Sequence, residues 1–471
     1  MWIIISLCSI AFAILFCLNS LKFLNYFQLE GYENFFSSKS KDYGAKLIFV
    51  GFISILIGYI AICCIVFVKQ LWIEFVLPLA IFAMSIGVFC DKDSQCKRQP
   101  LVFTSRIKRY IIAIFTMYFV VCFAIFWLGS MLKMYNVQLY FVFLPLVVLC
   151  EKYIVWLVGK MLVPLENCIK KHYIIVCKKE LSKRKNLIKI GITGSYAKTS
   201  IKNILTDILS VKYKTYCTPH NFNTPMGICR AVGLMPKDTD IFVVEMGAKH
   251  KKDIETLCNI VDIDYALLSG INNQHIATFG SIENVATTKM EIAKYAQSKG
   301  KLTIFNAFDD NCMAEFEKFE GDKSLSKNEN CFFLSPYCDE NGSKFDLIVD
   351  GEKLQCNTVL LGIHNIQNIL MAVVVAKKLG LSNTEIKLAI ENIKKIPHRL
   401  ELQKASNGIT IIDDSYNSNV VGAKIGIDCL KMFGGRKIVA TQGLVELGEN
   451  EANLNKELGA YMANVADIVV A

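Results

Sequence analysis

One stretch constrains the fold more than any other: residues 186–205, NLIKIGITGSYAKTSIKNIL. Residues 187–192 are apolar and branched, too few for a helix, and they predict a buried strand. Gly191, Gly194 and Lys198-Thr199-Ser200 follow, and then Ile201, Leu205 and Ile208 recur at helical spacing. A strand, a small-residue turn and a helix opening at Lys-Thr predict a phosphate cradle. Backbone N–H groups at such a helix start face anions, and the helix dipole favours negative charge there. Lys198 would neutralise terminal phosphates, and the Thr199 hydroxyl would hold Mg²⁺. The usual G-x-x-x-x-G-K-[ST] pattern would put glycine at Ile192 and Ala197; instead Gly191 comes one place early and alanine precedes the lysine.

A chain of 471 residues is long enough for more than one domain. Its net charge of +10 suits an anionic substrate and equally an anionic membrane face. No basic stripe is interleaved with aromatics, so nucleic acid is not expected as a partner. The 18 cysteines are scattered without a C-x-x-C, which points to reduced thiols in a cytosolic compartment rather than a disulfide scaffold. Cys312, Cys331, Cys338 and Cys356 are a weak zinc alternative.

Apolar residues make up 53% of the chain and are concentrated before about residue 165. Residues 2–18, 47–68, 71–89, 110–132 and 139–163 each approach the ~20 apolar residues a bilayer core requires. About five transmembrane helices are therefore expected. The basic residues of 91–109 mark that loop as cytoplasmic, which leaves everything after Pro164 in the cytoplasm. Glu151, inside the last span, is a functional candidate, or pairs locally with Lys152. Residues 166–186 are lysine-rich and predict an amphipathic connector along the membrane surface.

Beyond it, apolar strands near 215–219, 241–244, 266–269 and 303–306 alternate with helical patterns, which predicts a mostly parallel sheet covered on both faces. Glu245 stands at the tip of one strand, where α/β folds place magnesium ligands. His275 and Lys289 follow, the one open to reading as a loop histidine and the other as a solvated lysine. Residues 313–358 read as an excursion of short strands, and helices return at 366–379 and 383–393.

Taken together, these motifs resemble the Mur ligases, ATP-dependent amide-forming enzymes of peptidoglycan precursor synthesis. The likeness runs from about Lys189 onward and is carried by GITGSYAKTS, TPHNFNTPMGI, VVEMGAKHKKDIE, NNQHIATFGSIENVATTKMEI, LLGIHNIQNILMAV, IPHRLE, DDSYNSN and GLVELGE, all in the family's order. Within the family they look most like the branch that joins D-alanyl-D-alanine to a UDP-N-acetylmuramoyl-tripeptide. After the α-helical membrane domain (1–165) and the basic connector (166–186) read above, the resemblance implies a P-loop α/β central ATP-binding domain (187–398) and the start of a Rossmann-like C-terminal domain (399–471).

It also implies ATP and Mg²⁺ as cofactors and an acyl-phosphate intermediate. Phosphate binding falls to Gly191, Gly194, Ser195, Ala197, Lys198, Thr199 and Ser200. His364, Asn365 and Asn368 match positions around the adenine, and Arg399, Asp414, Ser415 and Asn419 match nucleotide positions at the cleft. Magnesium falls to Thr199, Glu245, His275 and Lys289, and Lys198, Lys289 and His275 are the catalytic residues. Lys289 aligns with a lysine that family members carry as a carbamate; an unmodified lysine paired with phosphate is the alternative. Two departures stand out: no separate domain for the UDP-sugar is visible before the loop, and the last domain looks incomplete. The implied partners are therefore a UDP-linked or lipid-linked muropeptide, D-alanyl-D-alanine and the lipid bilayer, at the cytoplasmic membrane. The rival of another class is a membrane scaffold or transporter with a degenerate nucleotide domain.

Overall fold

The computed structural model describes residues 2–29, 31–32, 100–131, 138–272, 279–406, 408–416, 420–444 and 451–470. It divides into two compact units, Met1–Ile169 and Lys170–Ala471. In the first unit α1 (Trp2–Leu29) packs along α2 (Ser105–Met131). Phe16, Phe23 and Phe27 close on Ile107, Tyr110, Ile114 and Tyr118, and the Ser20 and Tyr118 hydroxyls share a 2.9 Å hydrogen bond.

The expected spans 47–68 and 71–89 lie outside the described residues. The other three fall on α1, α2 and α3 (Gln138–Ser182). Among the described residues only Ser105–Ile125 is long and apolar enough to cross a membrane, by length and composition. Of the five expected spans, one therefore has a candidate among the described residues. The side chains of Glu151 and Lys152 lie outside the described residues. Of the connector expected over 166–186, the residues through Ser182 continue α3. Glu166 is held inside that helix by Arg109, whose Nε and Nη2 donate to its two oxygens at 2.7 and 2.8 Å. A carboxylate only 4% exposed needs such a partner.

The second unit is built on β1 (Ile188–Thr193), β2 (Thr215–Cys217), β3 (Ile241–Glu245), β4 (Tyr265–Leu268), β5 (Leu302–Phe305) and β6 (Lys323–Leu325). They form one parallel sheet in the order β2-β3-β1-β4-β5-β6. Side chains alternate across it. Ile190, Ile192, Ile241, Val243 and Leu267 face α4 (Lys198–Leu209), together with α10, introduced below. Phe242, Val244, Ala266 and Leu268 face α5 (Pro225–Leu234), α6 (Asp253–Val261), α7 (Ile282–Lys289) and α8 (Glu291–Ser298). This period of two, buried on both sides, explains why the strands read as unbroken apolar runs. From β1 the chain crosses to the edge at β2, returns to β3 beside β1, and then crosses to β4 on the other side of β1. That reversal opens a crevice at the C-terminal end of β1, where such folds bind ligands.

The segment expected as an excursion is part of the core. After α9 (Asp310–Lys318) comes β6, the sixth strand of the sheet; then β7 (Cys331–Asp339), β8 (Gly342–Val349) and β9 (Glu352–Thr358) form an antiparallel meander. Phe345, Leu347 and Val349 point inward at 4%, 0% and 0% exposure. Each such side chain contributes about 2 kcal/mol of burial. They pack with α10 (Ile363–Lys378) and α11 (Asn383–Glu391).

In the C-terminal part β11 (Thr410–Asp413) pairs antiparallel with β10 (Glu401–Lys404). Helix α12 (Val420–Cys429) follows, then β12 (Ile438–Ala440), α13 (Glu451–Ala463) and β13 (Ile468–Val470). β12 and β13 are parallel, and α12 packs with α13.

Candidate nucleotide and metal site

The loop between β1 and α4 is shaped by two residues with left-handed backbones. At Gly194 φ is +151°, and a Cβ there would lie 2.1 Å from Ser269 Oγ and 2.9 Å from the Gly270 nitrogen. Only glycine fits. Ala197 caps α4 at φ 59°, the position where the common pattern carries glycine; its Cβ makes that conformation costly. Ser195 fastens the loop rather than lining it: its N–H donates to Gly270 O at 2.7 Å, and its hydroxyl accepts from the Asn272 N–H at 3.1 Å. Gly191 lies within β1, and a Cβ there would press on Ile263 and Ile292 at 3.0 and 3.2 Å. Its smallness serves packing beneath the sheet. Ser200 is buried in the first turn of α4.

Lys198 opens α4, and its Nζ donates to Gly194 O at 2.6 Å, spanning the loop. Burial pulls its pKa down to about 8, and the nearby Arg399 adds to that, against the attraction of Glu245. The Thr199 hydroxyl donates to Glu245 Oε2 at 3.1 Å. Glu245 ends β3 opposite Ile192 of β1, so pairing of adjacent parallel strands delivers its carboxylate to the loop. Burial alone would raise its pKa, yet Lys202 and Lys198 hold it below the usual carboxylate range. A hydroxyl and a carboxylate side by side are the hard oxygen donors that Mg²⁺ prefers, so these residues fit the ion.

Lys289 ends α7 and is 3% exposed. Burial, and then the Lys198 charge, lower its pKa to about 7. His275 lies outside the described residues, as does Asn419. Arg399 stands within electrostatic reach of Lys198, Glu245 and Asp414, and its guanidinium lies 4.7 Å from the centre of the Tyr416 ring. Burial raises Asp414 to about 6. Ser415 turns away, its hydroxyl donating to Asp413 Oδ1 at 2.6 Å. At the start of α10 the half-exposed His364 has a buried Nδ1 with no hydrogen-bond partner, and desolvation lowers its pKa to about 4, so the ring is neutral. An orphaned ring nitrogen of that kind fits a heterocycle. Asn365 Nδ2 donates to Leu361 O at 2.8 Å, and Asn368 bonds to Asn365 at 3.4 Å, so both amides are engaged within the protein.

Three residues at the site escaped the sequence reading. Lys202 donates to Glu245 Oε2 at 3.1 Å, Asn223 Nδ2 to Glu245 Oε1 at 3.1 Å, and the Tyr196 hydroxyl to Asp309 Oδ2 at 2.6 Å. The signal for Lys202 was its place one turn beyond Lys198; Asn223 and Tyr196 stand in motifs already singled out. The zinc alternative does not hold: among the described residues only His398, Glu401 and Asp413 group as metal ligands do, and Cys312 packs in a different cluster from Cys331 and Cys356.

With this geometry in place, comparison adds that residues 192–376 match the Mur ligase middle domain. Among curated relatives, the UDP-N-acetylmuramoyl-tripeptide–D-alanyl-D-alanine ligase of Buchnera aphidicola is 29% identical over 290 residues, 60% of this chain and 63% of its own length. The Bacillus subtilis enzyme of the same name is 28% identical over 277 residues, 58% and 60%. The chain thus spans somewhat over half the length of these relatives. In fold it is similar to MurF from Acinetobacter baumannii (TM-score 0.60, 24% identity, 64% of this chain and 66% of that one). MurF from Thermotoga maritima in complex with ADP gives a TM-score of 0.57 at 24% identity, over 64% and 69%.

Proposed function

We propose that this chain is an ATP-dependent amide ligase of peptidoglycan precursor synthesis, adding D-alanyl-D-alanine to a UDP-N-acetylmuramoyl-tripeptide. The observation that carries this is the Thr199–Glu245 pair at 3.1 Å beside a loop spanned by Lys198, at the mouth of a parallel sheet. A carboxylate is a poor electrophile for an amine, so the acceptor must first become an acyl phosphate. That transfer depends on positioning and on charge neutralisation. Lys198 supplies one fixed positive charge, and Thr199 and Glu245 would hold Mg²⁺, whose charge would offset that of the phosphates. His364 and Arg399 border the nucleotide, and Lys289 and His275 complete the reading as metal ligands. The names of the curated relatives support the same substrates.

A lipid-linked acceptor is the second reading, favoured by the apolar α2. Release of labelled phosphate from ATP separates the two when each acceptor is supplied with D-alanyl-D-alanine. Turnover with the UDP-linked tripeptide alone is expected; turnover with the lipid-linked form alone overturns the first reading.

Attachment to the cytoplasmic membrane, with the catalytic part in the cytoplasm, belongs to the same proposal. Reporter fusions at Arg98 and after Glu166 should read inside, and a fusion after Lys133 should read outside. An outside signal after Glu166 would place the ATP site on the wrong face and overturn this arrangement.

A further inference from the structure

Lys202 is 2% exposed, although a lysine is among the costliest side chains to bury. Ile201, Ile204 and Leu205 around it on α4 fill the core, and a methionine of similar length would do so without a charge. Its ammonium instead reaches two acceptors: Glu245 Oε2 at 3.1 Å and His220 O at 2.8 Å. The backbone of His220 is left-handed, φ 45°, so the loop accepts strain at the residue that offers this carbonyl.

Glu245 is consequently fixed at both oxygens. Oε2 accepts from Lys202 and Thr199, and Oε1 accepts from Asn223. Its backbone N–H donates to Thr218 Oγ1 at 3.1 Å. An Oε2 with two donors has no freedom to swing away from Thr199. Because the second acceptor, His220 O, anchors the ammonium, Lys202 stays in place when the neighbouring donors rearrange.

We propose that Lys202 is a positioning residue that sets the Thr199–Glu245 pair before a divalent cation arrives, and so couples Mg²⁺ to nucleotide binding. This rests on the nucleotide reading above. The test compares ADP affinity with and without Mg²⁺ on the full chain, by calorimetry. In the wild type Mg²⁺ is expected to tighten ADP binding. Lys202→Met should erase most of that increment, about tenfold or more, while metal-free ADP binding stays within about twofold. A purely structural role would weaken both measurements together, and that parallel loss overturns the proposal, as does an unchanged increment. A wild type that binds no ADP overturns the nucleotide reading itself, and the proposal with it.

Removing one member of a buried ion pair can prevent folding, so the neutral pair Lys202→Met with Glu245→Gln supplies a second comparison. If Lys202 acts through Glu245, this double variant should bind metal-free ADP within about twofold of Glu245→Gln alone. Weaker binding by the double variant would show a separate task for Lys202 and overturn the assignment.

Discussion

Lys198→Ala is expected to abolish acyl-phosphate formation and ligation, a loss of roughly a thousandfold or more, because it removes a positive charge from the transferring phosphoryl group. The ammonium is already poised: it lies half-buried across the loop on Gly194 O at 2.6 Å. The sign of its pH dependence follows. Its pKa in the fold, about 8, lies below the ordinary lysine value, so the charge is present below pH 8 and lost as pH rises through it. Wild-type nucleotide affinity should therefore weaken above about pH 8, and the alanine variant should lack that limb. Ala197→Gly is the contrasting change. Ala197 holds φ 59°, a conformation that costs an L-residue about 1–2 kcal/mol and glycine little. Activity should be kept or raised. A glycine variant without ATP turnover would mean that this loop is not the phosphate cradle.

The parts of this site that rest on local chemistry were legible in the sequence. The strand before the loop, the helix starting at Lys198 and Glu245 at the tip of β3 all follow from short-range apolar runs and their punctuation. Ala197 was marked as the odd residue in its pattern, and its left-handed backbone gives the reason. What depended on residues distant in sequence was not legible. Lys202 looks like an ordinary helix lysine until β3 brings Glu245 to it. Gly191 belongs to the packing of β1 because Ile263 and Ile292 arrive from later elements. Tyr196 is tied to Asp309, more than a hundred residues away. The meander of β7, β8 and β9 reads as an excursion of short strands outside the core, since only alternate residues face inward, and a period-two face is weak beside the continuous apolar runs of the parallel sheet.

Lys289→Arg is expected to be as inactive as Lys289→Ala, an outcome that a simple phosphate-binding lysine would not give. The reasoning starts from burial. Lys289 is 3% exposed at the end of α7, with the Lys198 ammonium in electrostatic range, and its pKa falls to about 7. A lysine amine must be unprotonated to add carbon dioxide, and at an ordinary pKa near 10.4 almost none is. Here the amine is free above pH 7 and becomes an ammonium as pH drops through that value. Label taken up from isotopic bicarbonate should therefore fall below about pH 7 and reach a plateau above it. Carbamylation exchanges a cation for an anionic oxygen donor, the kind of ligand a hard cation takes. Against a bare ammonium the repulsion of a divalent ion would amount to roughly several kcal/mol, even at an effective dielectric constant of about 20. Arginine keeps the charge and cannot be carbamylated, so it cannot substitute. Alanine leaves room instead, and acetate or chloride should restore part of the lost ATP turnover by entering the vacated position. An arginine variant as active as wild type would reduce Lys289 to a phosphate partner and end the carbamate assignment.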